Sequence, residues 1–211
     1  AAGEGLKAVF TDLSADAVVS GGQTMNPATE DILAAVQSVP AKTVFVLPNN
    51  KNIVMAAQQC VGLTEKQVIV VPTHSIPQGI SAMMSVDTAE EDPQAILAAM
   101  TEAAAAVTTA QITYAARNSD FDGFAINEGD YLALLDGKLF GTERDITSLL
   151  TRLAALAAER EAAFVTLFYG EGVSQEEAEA AQALFTEACP ETEVSLLSGG
   201  QPVYYYTISI E

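Results

Sequence analysis

Tryptophan is absent from this 211-residue chain, histidine occurs once, cysteine twice, and lysine and arginine together only nine times. Each scarcity removes a class of function. Cys60 and Cys189 fit no metal-ligand spacing and His74 has no second imidazole to work with, so no zinc site can be assembled. Two isolated cysteines predict buried thiols in a reducing compartment. Nine cations against 28 carboxylates leave a net charge of −19. Such a surface repels phosphate backbones and anionic lipid headgroups, which argues against nucleic-acid and membrane-surface roles and makes a basic protein the natural partner. No apolar run reaches the ~20 residues that cross a bilayer, and the sequence shows no secretory leader, so a cytoplasmic location is expected. The phosphate loops G-x-G-x-x-G and G-x-x-x-x-G-K-[ST] and the nucleophile elbow G-x-S-x-G are missing too, and no catalytic residue, cofactor or metal is assigned.

What the chain has is hydrophobic substance: 49% of its residues are apolar and its mean hydropathy is +0.23, enough for a real core. The first 86 residues repeat one grammar three times. "DAVVSGG" leads to "NPATEDILAAVQSV", "KTVFVLPNN" to "KNIVMAAQQCVGL", and "KQVIVVPTHS" to "IPQGISAMMSV". A β-branched run, a turn and an amphipathic segment, three times over, predict a parallel βαβαβα lobe. Asn26 with Pro27 at the first helical position reads as a helix start, and Ser75/Gln78 and Ser174/Glu177 have capping-box spacing. "DTAEEDP" breaks the pattern, and Asp92-Pro93 opens an alanine-rich helix over 92–107 whose stripe of Ile96, Met100, Ala103 and Val107 must pack on something. This helix is expected to connect a lobe at 1–90 to one at 91–211. The second lobe reads as mixed α+β, with Asp-Gly and Glu-Gly-Asp turns that mark antiparallel hairpins, followed by the helix "DITSLLTRLAALAAER". The fold class is therefore α/β in two lobes.

Two features qualify as functional. The tetrapeptide "SGGQ" occurs at 20–23 and again at 198–201. A glycine pair at a strand end lets backbone N–H groups approach an anion, and it also simply makes a tight turn. Gly21, Gly22, Gln23 and Thr24, together with Asn49, Asn50 and His74 at neighbouring strand ends and Gly199, Gly200 and Gln201 in the second copy, are the candidate cleft residues. The two loops are expected to repeat one local geometry and to face each other across the cleft. The second feature is charge: 85–136 holds ten acidic residues against Arg117 alone. Asp87, Glu90, Glu91, Asp92, Asp120, Asp122, Glu128 and Asp130 are the candidate partner-binding residues. Asp120, Asp122 and Glu128 lack the EF-hand order of ligands, so a calcium loop is not expected.

The set "GEGL", "VVSGGQTMNPATEDIL", "VLPNNKNI", "VVPTHSIPQGISA", "DGFAINEGDYLALLDGK", "YGEGVSQEEAE" and "GGQPVYYYTISIE", spread over nearly the whole chain, resembles the C-terminal domain of the DAK-domain fatty acid kinase catalytic subunit. The resemblance implies a fold related to DegV-type fatty-acid-binding proteins. It also implies attachment to kinase and dimerising domains of the same polypeptide, and a non-catalytic role in docking a DegV-type carrier so that the kinase domain can form the acyl phosphate. Two alternatives stand beside it. The domain could itself hold a fatty acid or other small molecule in the inter-lobe cleft, although a buried carboxylate needs placed donors or a cation. An independent hydrolase or transferase would need a catalytic pair that these residues do not supply.

Overall fold

A computed structural model describes residues 1–22, 25–121 and 123–211. The chain divides into two units, Ala1–Val107 and Thr108–Glu211.

The first unit runs α1 (Glu4–Asp12), α2 (Thr29–Ser38), β1 (Thr43–Val46), α3 (Val54–Gln59), β2 (Gln67–Val70), α4 (Ile76–Met84) and α5 (Pro93–Ala106). β1 and β2 pair in parallel, as their continuous β-branched runs predict. The third expected strand does not form. The "DAVVS" segment is extended, but Gly21 N–H donates to the Ala1 carbonyl, and the segment joins no ladder with β1. The lobe is thus a two-stranded α/β unit rather than a βαβαβα one. α1 went unanticipated, although Leu6 and Phe10, buried one turn apart, carry its signal.

Capping decides where the helices begin. α2 starts at Thr29 and not after Asn26, because the Asp31 carboxylate reaches back to the Ala28 N–H at 3.0 Å and fixes the first turn there. At α4, Ser75 Oγ accepts from Gln78 N–H at 3.3 Å, while Gln78 Oε1 takes the His74 N–H rather than that of Ser75. Asp92 caps α5 by accepting from Gln94 N–H. That helix, expected to link the lobes, belongs to the first unit: Met100 and Ala104 are buried with Val71 and Ala82.

The second unit contains β3 (Thr108–Tyr114), β4 (Ser119–Phe121), β5 (Phe124–Ile126), β6 (Tyr131–Leu135), β7 (Lys138–Glu143), α6 (Ile146–Glu159), β8 (Phe164–Tyr169), α7 (Gln175–Ala188), β9 (Glu193–Ser198) and β10 (Tyr206–Ile210). Six of these strands form one mixed sheet in the order β7-β6-β3-β10-β8-β9. β4 and β5 make a separate hairpin. Asp136 and Gly137 both have positive φ, 49° and 79°, the type I′ signature that the Asp-Gly turn between β6 and β7 predicts. The α6 and α7 helices cover one sheet face: Leu149, Leu153 and Phe185 pack on Ile112, Val165, Leu167 and Ile208. Ser174 and Glu177 complete the capping box of α7 in both directions, at 3.2 and 2.8 Å.

Two outcomes follow for the second unit. Phe185 is fully buried in its core, so Phe185→Ala should destabilise it by about 3–5 kcal/mol in denaturant unfolding. Tyr206 donates to the Glu177 carbonyl from a buried site, and burial first, the Glu177 charge second, push its phenol up to about 12. A raised phenol means that the folded state favours the neutral form. Its contribution is therefore complete below the unfolded value of 10.0 and is lost as pH rises through about 12. In urea titrations across that window, Tyr206→Phe should show a shallower alkaline loss of stability than the parent.

Candidate functional site

In the first unit, three turns that are distant in sequence come together. Gly21 and Gly22 have φ of 118° and 109°, and a Cβ at Gly21 would lie 2.7 Å from the Met25 carbonyl oxygen, so the tight turn itself requires glycine there. Asn50 Nδ2 donates to the Gly22 carbonyl and Asn50 Oδ1 accepts from Asn52 N–H, tying the "SGG" turn to the "PNN" turn. Asn49, in the left-handed region at φ 56°, donates its N–H to Thr73 Oγ1 at 3.1 Å, and Thr73 is fully buried. The Asn49 amide lies against α4 where Gly79 has no side chain; a Cβ there would sit 2.1 Å from Asn49 Oδ1. That oxygen is buried and has no hydrogen-bond partner among the described residues. His74 is exposed beside this cluster. Gln23 and Thr24, expected to belong to it, lie outside the described residues.

The second copy of the tetrapeptide is built differently. Gly199 and Gly200 both donate their N–H to the Tyr169 carbonyl, at 3.0 and 3.1 Å, and only Gly200 has positive φ. Gln201, 1% exposed, turns inward and donates Nε2 to the Phe168 carbonyl at 2.8 Å, while its Oε1 has no partner among the described residues. The expectation of one repeated geometry therefore fails. The first copy follows an unpaired segment, the second follows β9, and the glycines take different backbone angles. Past Gln201, Val203 is held at φ 74°, a costly conformation for a β-branched residue, with Thr113 Oγ1 donating to its carbonyl at 2.8 Å. Tyr114, Tyr131 and Tyr205 pack edge to face nearby, with ring centroids 6.0 and 5.6 Å apart.

The acidic candidates divide by unit. Asp87, Glu90, Glu91 and Asp92 are all exposed in the α4–α5 connection, where Asp87 accepts from Ala89 N–H and Glu90 from Asp92 N–H. Asp120 and Glu128 are exposed on and beside the β4–β5 hairpin; Asp122 lies outside the described residues. Asp130 leaves the exposed set. It is only 6% exposed, pairs with Arg144 Nε at 2.8 Å and accepts from the Asn127 N–H, so it fixes a turn. Sequence reasoning also missed Phe124, 63% exposed on β5, while Ile126 and Phe121 anchor the hairpin below it.

Neither thiol is positioned as a nucleophile. Both cysteines are buried and free; Cys60 donates towards the Thr29 and Ala56 carbonyls, and burial, then Glu30, push its thiol up. Among the described residues no group of three His, Cys, Asp or Glu side chains could hold a metal ion, and no helix is long and apolar enough to cross a membrane.

Residues 1–211 match the model of the FakA-like C-terminal family, the C-terminal domain of A-type fatty acid kinase subunits. The chain belongs to that family. Protein YloV of Bacillus subtilis (strain 168) is 41% identical over 211 residues, covering all of this chain and 38% of its own length. An uncharacterized protein of Staphylococcus aureus (strain USA300) is 34% identical over 212 residues, again with 38% of its length covered. The chain thus spans about two fifths of the curated relatives it matches. Among solved structures, the DegV family protein Cg2579 from Corynebacterium glutamicum aligns with a TM-score of 0.71 at 15% identity, over 97% of this chain and 91% of the other. The Streptococcus pneumoniae fatty acid kinase B3 protein, loaded with linoleic acid, aligns at 0.64 and 10% identity, over 97% and 82%. This FakA-like C-terminal domain therefore has the DegV fold.

The Asn49–Gly79 contact yields a direct check on the first-unit cluster. Gly79→Ala forces a methyl group onto the Asn49 amide and should destabilise the unit by about 1–3 kcal/mol. Adding Asn49→Gly removes the obstructing amide and eases the positive φ, so the double variant should recover most of that loss in urea unfolding.

Proposed function

We propose that this domain is a non-catalytic docking module, which engages a DegV-type fatty-acid-binding carrier through exposed acidic surface so that a kinase domain elsewhere in the polypeptide can form the acyl phosphate. The observation that carries this reading is the β4–β5 hairpin of the second unit. It stands outside the six-stranded sheet and presents Phe124 to solvent close to the carboxylates of Asp120 and Glu128. An exposed aromatic anchor within an acidic surround is the chemistry that binds a basic protein with an apolar pocket. In the first unit, Asp87, Glu90, Glu91 and Asp92 add a second acidic run, and none of them appears among the ion pairs of the described residues. Family membership and the net charge of −19 support the same partner, and a cytoplasmic site of action is part of the proposal.

The test separates charge from the fold. Glu91 and Glu128 make no side-chain hydrogen bond that the turns need, unlike Asp92 and Asp120, so Glu91→Lys and Glu128→Lys probe charge alone. Together with Phe124→Ala they should weaken association with the carrier by about 1–3 kcal/mol, and high salt should weaken the parent complex more than the reversed variants. Calorimetry at low and high salt reads both effects. Variants that fold and bind like the parent, with no salt dependence, would remove the acidic surface from the interface. By the same reading this domain alone neither hydrolyses ATP nor phosphorylates fatty acid. Steady ATP turnover by the purified chain would contradict it.

A further inference from the structure

The unpaired "DAVVS" segment has left space behind it. Between β1 and residues 14–21 lies a cavity of about 340 Å³, lined by residues of the first unit only. Its walls come from two separate core clusters: Ile32 and Val36 of α2 belong to one, Ile96 and Met100 of α5 to the other. Where a three-stranded sheet would place another strand against the edge of β1, this fold places a gap. Well-packed interiors contain few voids larger than a water molecule, whereas small-molecule sites begin at about 300 Å³.

The shape of the space and its charge define the ligand. The lining follows β1 and its flanks from Ala41 to Asn49, a path on the order of 25 Å at the rise of an extended chain. A volume this small spread over such a length is a narrow slot and not a round chamber. Its walls are dominated by Val, Ile, Met, Phe and Ala side chains. The only charged side chain among the described lining residues is Asp16, which is solvent-exposed and marks the mouth with Ser14 and Ala17. No lysine or arginine is among those lining residues. A buried carboxylate would lack a side-chain counter-ion and would meet Asp16 on the way in, so an anionic headgroup is disfavoured.

We infer that this slot is a binding site for the single unbranched hydrocarbon chain of an uncharged amphiphile, with the polar end at the Ser14–Ala17 mouth. It differs from the inter-lobe cleft expected from sequence, and it does not depend on the docking reading. Empty apolar cavities in proteins stay dry and take up apolar ligands, which is the driving force available here.

The test titrates delipidated chain with 1-dodecanol and follows the methyl resonances of Ile32, Val44, Ile96 and Met100 by NMR. Saturable shifts at these methyls, with one dodecanol bound per chain, are expected. Laurate at neutral pH should bind at least ten-fold more weakly. Ala35 lines the slot, and Ala35→Phe fills it; the variant should keep its far-UV circular dichroism and lose the dodecanol shifts. If Ala35→Phe does not fold, Ala17→Phe blocks the exposed mouth instead and should have the same effect. Absence of saturation, or equal shifts in a folded blocking variant, would overturn the site. Laurate binding as tightly as dodecanol would overturn the assignment of an uncharged ligand.

Discussion

The architecture of the second unit depends on one strand, β10, which the chain supplies after all the others. It lies between β3 and β8 and pairs antiparallel with both, so without it the sheet falls into β7-β6-β3 on one side and β8-β9 on the other. All five of its residues are buried. Tyr206, Ile208 and Ile210 face the α6–α7 layer, while Thr207 and Ser209 point to the opposite face, where Ser209 stands in register with Thr109 and Thr166. Cross-strand hydroxyl pairs of this kind stabilise a sheet face that carries little apolar surface. Because β3 precedes β10 by some ninety residues, the central pairing closes a long loop, and the unit assembles around a non-local contact.

The first unit answers to a different constraint. Its strand ends carry too many backbone polar groups for two strands to satisfy, and the Gly-Gly, Asn-Asn and Thr-His turns satisfy them by bonding to one another. This interlock requires residues that tolerate left-handed backbone or offer no side chain, namely Gly21, Asn49 and Gly79. Clustering at strand ends, which in open α/β sheets signals a binding crevice, is here also the means by which a small sheet is closed.

Much of this was legible from sequence because the signals were local. β1 and β2 follow from β-branched runs, the β6–β7 hairpin from Asp136-Gly137, and the α7 start from Ser174 and Glu177. What failed depended on tertiary context. "DAVVSGG" has the composition of a strand, but composition says nothing about whether a neighbouring edge is within reach, and its backbone found Ala1 instead. Asn26 is a good cap in isolation and lost to Asp31, whose carboxylate serves the next turn. Two identical tetrapeptides adopted different shapes because one is anchored through Tyr169 and Phe168 and the other through Asn50. Asp130 looked like surface charge until Arg144 folded over it, a pairing that no spacing rule reveals. The candidate site was thus readable as a set of loops, and unreadable as a set of contacts.

The edge-to-face stack of Tyr114, Tyr131 and Tyr205 belongs to a wider asymmetry: all six tyrosines lie in the second unit, and the chain has no tryptophan. Near-ultraviolet absorbance and intrinsic fluorescence above the phenylalanine band therefore come from one half of the molecule. The first unit, with its interlocked turns and its slot, is optically silent at those wavelengths, while both halves contribute to the peptide signal in the far ultraviolet. The chain thus carries its own spectroscopic partition. Any divergence between the two signals separates the melting of one half from the other without an added label.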